Sequence, residues 1–168
     1  MNELTPSILT RAESWLCLTA LLYCVMNGAQ IFETFLIIPK WSTAPPESLQ
    51  YINGQFLPNL KTFWIVLHSL HEICFIVAIV FCWKLDLRNS LLILFAVHFA
   101  VRTWTILYFA PNLMAFQSYA SGEGNIANII EKISLWRKLN YVRVGIFIAL
   151  NIALIPIIIK LLHLKIKG

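Results

Sequence analysis

Glu33, His68, His71, Glu72, His98 and Arg102 lie in stretches otherwise apolar enough to span a bilayer. Ionisable groups are costly in hydrocarbon, so several of them in several spans mark a candidate site. Imidazole beside carboxylate can move protons. The same pair can ligate a transition metal such as iron or copper, while a guanidinium holds a developing oxyanion. This makes Glu33, His68, Glu72, His98 and Arg102 the candidate catalytic residues. His68, Glu72 and His98 are the candidate ligands if a metal is used, and the alternative is chemistry without a cofactor. The run from His68 to Glu72, H-x-x-H-E, matches no recognised metal signature by itself.

Spacing and depth predict that these groups meet. At 1.5 Å per residue, Glu33 is about 8 Å inside the end of its span, His68 about 8 Å and Arg102 about 12 Å, all from the side of the two longer loops. Asn27, Gln30, His71, Glu72 and His98 fall between these and the midplane. Asn27, Gln30 and Glu33 are spaced by three; His68 and Glu72 are four apart, as are His98 and Arg102, so each set follows one flank of a helix. Trp136, Asn140 and Arg143, spaced by four and three, form another such stripe. Asn27, Gln30, His71, Trp136, Asn140 and Arg143 are the candidate substrate-binding groups. The bland alternatives are an interfacial anchor for Arg143, aromatic belts for Tyr51, Trp64, Trp104 and Tyr108, and mutual neutralisation of Glu33 with Arg102 and Glu72 with His98.

The elements that must position them are four hydrophobic spans, at about 15–38, 63–83, 90–110 and 142–162, each near the roughly 20 residues that cross a hydrocarbon core. The expected fold is all-α, a four-transmembrane-helix bundle forming a single domain over 1–168. Pro39 is expected to stop the first span, and Thr5-Pro6-Ser7 to start its helix. Lys84 to Asn89 is so short that the second and third spans form a hairpin. Ser42-Thr43-Ala44-Pro45-Pro46 is a turn cluster, followed by a short helix near Glu47 to Ile52. Ile126, Ile129, Ile130, Ile133 and Trp136 recur at helical spacing, an amphipathic extension leading into the last helix; Pro156 should bend that helix.

Composition agrees with lipid as the main solvent. Of 168 residues, 59% are hydrophobic and 12% charged, with a net charge of +5 and a mean hydropathy of +0.74. The positive excess is spread over short loops and ends, which suits anionic lipid headgroups and not nucleic acid. Cys17, Cys24, Cys74 and Cys82 form no C-x-x-C pair and read as small apolar residues. The N-terminus is a poor signal peptide and reads as a retained helix. The tight hairpin and the basic tail place both termini on the cytoplasmic side, in the cell inner membrane.

The run from Asn27 through Glu33 and Pro39 to Trp41, with Trp136-x-x-x-Asn140-x-x-Arg143, resembles the anthrone-oxygenase-like family of small four-helix integral membrane proteins. Pro39, Trp136, Asn140 and Arg143 carry the likeness. It implies a membrane bundle and, in some fungal members, oxygenation of anthrones to anthraquinones in polyketide biosynthesis. Glu33, His68, His71 and Glu72 add more ionisable groups than that pattern contains.

The leading functional expectation is a membrane-embedded oxygenase-like oxidoreductase or acid–base enzyme acting on a hydrophobic small molecule drawn from the bilayer. The alternatives are a lipid-binding or ion- or proton-transport module, and a structural or accessory protein with a neutralised polar core.

Overall fold

A computed structural model describes residues 6–53, 60–122 and 128–167. The chain is all-α, a helical bundle. Helix α1 runs Pro6–Phe32, a π turn covers Glu33–Ile37, and α2 is Ile38–Ser42; a 3₁₀ helix, Glu47–Asn53, follows. Then come α3 (Leu60–Phe81), α4 (Arg88–Trp104), a second π turn at Thr105–Phe109, α5 (Ala110–Ala120) and α6 (Ile129–Lys167). Among the described residues four helical stretches are long and apolar enough to cross a membrane: Ser7–Ser42, Leu60–Phe81, Arg88–Ala120 and Ile129–Ile166. Leu21, Phe35, Val66, Ile93, Leu107 and Ile152 are each more than half exposed, a surface that lipid and not water would cover. This is a multi-pass membrane protein.

The first and third spans exceed their expected ends for one shared reason. Pro39 was expected to stop the first span, because proline has no N–H and its ring strikes the carbonyl one turn back, and the third span was expected to end at Ala110, just before Pro111. Instead each is preceded by a π turn: the Ile38 N–H reaches back to the Glu33 carbonyl, and the Ala110 N–H to the Thr105 carbonyl. The wider turn absorbs the proline, and the helix goes on to Ser42 in one case and Ala120 in the other. The amphipathic extension likewise joins the last span as one 39-residue helix containing Pro156. Within the extension Ile129, Ile133 and Trp136 are buried, but Ile130 is exposed and belongs to the outer face. Thr5 and Ile126 lie outside the described residues.

Loop chemistry closes the elements. Gly122, at φ +78°, follows α5 in the left-handed conformation that ends helices at little cost, and its N–H caps the Tyr119 carbonyl at 3.0 Å. The Ser48 hydroxyl donates to the Trp41 carbonyl at 2.8 Å, tying the expected short helix to α2. In the α3–α4 hairpin the Leu85 N–H donates to the Cys82 carbonyl at 2.9 Å, with Leu85 and Leu87 buried. Cys74 and Cys82 are buried free thiols, whereas Cys17 and Cys24 face outward.

Contacts group the chain into two compact units. The first comprises Met1–Asn27, Lys61–Phe99 and Phe147–Gly168; the second comprises Gly28–Leu60 and Ala100–Ile146. In the first unit α1 and α6 run antiparallel, with Glu13 paired to Lys165 and the Asn151 amide donating to the Cys24 sulfur at 3.3 Å. In the second unit the aromatic core is Trp41, Phe109, Phe116 and Trp136, with Ile38, Leu49, Ile52, Ile129 and Ile133 around it.

Candidate functional site

The first unit holds the imidazoles. α3 presents His68, His71 and Glu72, α4 presents His98, and α1 contributes Tyr23 and Asn27. Tyr23, His71 and His98 have no exposed surface, and His68 has almost none. The Tyr23 hydroxyl lies 2.6 Å from His98 Nδ1. On the other side of that ring, Nε2 faces Glu72 Oε1 at 3.9 Å. A neutral imidazole with its proton on Nε2 satisfies both contacts: Tyr23 O–H donates to Nδ1, and Nε2–H points at the carboxylate. Of Tyr23, His98 and Glu72, only Glu72 keeps an open side, its side chain 27% exposed against 0% for His98.

Aromatic packing fixes the rings. His71 sits edge-on to Tyr23 at 4.3 Å between centroids and lies 4.9 Å from the His98 ring; Phe147 is 5.5 Å from His98 and 6.2 Å from His68. The Asn27 amide donates to the Phe147 carbonyl at 3.3 Å, while its own oxygen is buried with no hydrogen-bond partner. Tyr23 carries the central hydrogen bond of the cluster, yet the sequence reading passed over it. It is four residues before Asn27, on the same flank of α1, and that spacing was visible.

His71 stands apart chemically. Both its ring nitrogens are buried and neither has a hydrogen-bond partner. A buried unpaired polar atom costs about 1–3 kcal/mol, so His71→Phe, which keeps an aromatic ring and removes both atoms, is expected to raise the melting temperature by several degrees. Thermal unfolding of the detergent-purified protein measures this; a lower melting temperature would show that the imidazole is held by something more than ring packing.

The second unit holds the guanidinium groups and the amides. The Asn140 amide, fully buried, donates to the Thr34 hydroxyl at 3.1 Å, and its oxygen accepts from Arg143 Nη2 at 2.6 Å. The Arg143 guanidinium carbon lies 4.5 Å over the Phe109 ring, and its Nε is buried without a hydrogen-bond partner. Glu33 and Arg102, both half-buried, lie close enough for their charges to act on Arg143. The Trp136 indole N–H donates to the Phe109 carbonyl at 3.2 Å. Gln30 is buried on α1, and its side-chain oxygen also lacks a partner. The two π turns supply three of these residues, Glu33, Thr34 and Phe109.

Thr34 was not foreseen, and it anchors Asn140. Replacing Thr34 with Val keeps the shape but strands a buried amide donor, which should destabilise the protein by about 1 kcal/mol. Thr34→Ser should restore most of that. Equal melting temperatures for all three proteins would remove the hydrogen bond from the account.

Among the described residues no group of three or more His, Cys, Asp or Glu side chains is gathered so that it could hold a metal ion. The His68 and His98 ring centroids are 6.5 Å apart. A scan of protein-family models, a search of curated proteins and a search of solved structures each return no match.

Proposed function

We propose that the chain is a membrane-embedded acid–base enzyme whose reacting group is Glu72 and whose substrate is a lipophilic carbon or oxygen acid taken from the bilayer. The observation that carries this reading is the chain Tyr23–His98–Glu72, 2.6 Å at one link and 3.9 Å at the other, with its outer member open. Glu72 shares its flank of α3 with the exposed residues Ile65, Ser69 and Ile76. A molecule approaching the carboxylate therefore comes across apolar surface.

In this mechanism the Glu72 carboxylate takes a proton from a C–H beside a conjugated carbonyl, and the electron pair stays on the substrate as an enolate. His98 Nε2–H, held in that tautomer by Tyr23, orients the carboxylate. Glu72 then returns the proton, to the same carbon or to another along the conjugated system, so the cycle needs no oxidant. An oxygenase of the kind the resemblance implies would begin with the same deprotonation and would consume dioxygen afterwards. The charge arrangement also favours both termini on the cytoplasmic side of a cell inner membrane.

Deuterium uptake from D2O into an anthrone, whose methylene is a lipophilic carbon acid, tests the reading. The detergent-purified protein should speed exchange above the rate in empty micelles. Equal rates across a panel of anthrones and conjugated ketones would end it.

A further inference from the structure

Between α4 and α6 the first unit carries an open groove of about 390 Å³, within the range of about 300–1,000 Å³ usual for small-molecule sites. Leu87, Ser90 and Ile93 follow one face of α4 at steps of three, and Ala153, Pro156 and Lys160 follow one face of α6 at steps of three and four. Short side chains make the space. Ser90 and Ala153 stand where a leucine on either helix would close it.

The groove is polar at one end only. His98 on α4 and Phe147 on α6 lie 5.5 Å apart between ring centroids. From that pair the groove is reached by going back along α4 to Ser90 and forward along α6 to Lys160, about 12 and 20 Å of helix. Ser90 is the third residue of α4, and Lys160 is seven residues before the end of α6 at Lys167. Both therefore stand near headgroup level, while Ile93 and Ala153 lie deeper and are apolar.

Among the described residues neither Lys160 nor the Ser90 hydroxyl enters an ion pair or a hydrogen bond. The neighbouring cations are placed differently: Lys165 pairs with Glu13, Arg88 lies 5.3 Å over the Trp83 ring, and Lys84 is exposed in the hairpin beside Asp86. A lysine at the edge of hydrocarbon can reach water by stretching its stem outward. Here the same groove also offers a hydroxyl donor beside the ammonium and an apolar floor beneath both. That sequence of polar head and greasy wall is complementary to an anionic lipid.

We propose that this groove binds one anionic phospholipid, with its phosphodiester on Lys160 and Ser90 and the upper part of an acyl chain against Ile93, Ala153 and Pro156. A zwitterionic lipid would bring its own ammonium toward Lys84 and Arg88, so the site prefers a headgroup without one. Glu72 does not line the groove, and the inference needs none of the proton chemistry assigned to it.

The test is native mass spectrometry of the purified full-length chain, released from nonionic detergent micelles that hold equal amounts of dioleoyl phosphatidylglycerol and dioleoyl phosphatidylcholine. One phosphatidylglycerol per chain should be retained in preference. Lys160→Gln should weaken that retention about 5-fold or more, the scale of one basic residue at a charged membrane surface, and Lys160→Arg should keep it. Ala153→Phe, which fills the groove, should remove it. Lys132→Gln, a cation outside the groove, should leave it unchanged. Added phosphatidylglycerol should raise the melting temperature of the wild type and of Lys160→Arg, and not that of Lys160→Gln. Equal retention of the two lipids, an unchanged preference in Lys160→Gln, an equal loss in Lys132→Gln, or chain dimers that Ala153→Phe turns into monomers would each overturn the proposal.

Discussion

Replacing Glu72 with Gln is expected to slow substrate proton exchange by about 10²–10⁴-fold, the usual contribution of a positioned general base. The amide matches the carboxylate in shape, so the bundle should keep its melting temperature. What it loses is the capacity to take a proton. The His98 ring, buried among Tyr23, His71, Phe95 and Phe147, has no open face through which it could replace Glu72 as the group that meets substrate. Exchange rates and melting curves on the same preparations separate the cases. Glu72→Gln retaining exchange within a few-fold would move the chemistry elsewhere; a collapse in melting temperature would make Glu72 a packing residue.

The hydrophobic plan was legible because it rests on composition. Four runs of about 20 apolar residues admit few arrangements other than four membrane-crossing helices. The stripe on the first helix was only half legible. Asn27, Gln30 and Glu33, spaced by three, drift around the helix, whereas Tyr23, Asn27, Gln30 and Thr34, spaced by four, three and four, stay on one flank. All four of the latter are buried, and Glu33 is half-exposed at the side of them. Tyrosine and threonine in an apolar span pass for belt and filler, so the stripe was read from its charged neighbour.

Pro39 was misread for a physical reason. The rule that proline ends a helix assumes that the preceding turn keeps α geometry, and nothing in the residue types before Pro39 or Pro111 announces a π turn. The two backbones solved the same steric problem in the same way.

Trp136→Ala is expected to cost about 3–5 kcal/mol, a large share of the stability of a small domain. Between helices in a bilayer, packing and hydrogen bonds carry the association, because the lipid tails are as apolar as the core. Trp136 supplies both. Its ring lies 5.3 Å from Trp41, 5.5 Å from Phe109 and 6.5 Å from Phe116, and its N–H satisfies the Phe109 carbonyl. Trp136→Phe keeps most ring contacts and loses only the hydrogen bond, so it should cost about 1 kcal/mol. Ile130→Ala, on the exposed face six residues earlier, should cost almost nothing. A melting temperature of Trp136→Ala within a degree of wild type would show that this tryptophan does not hold the aromatic core together.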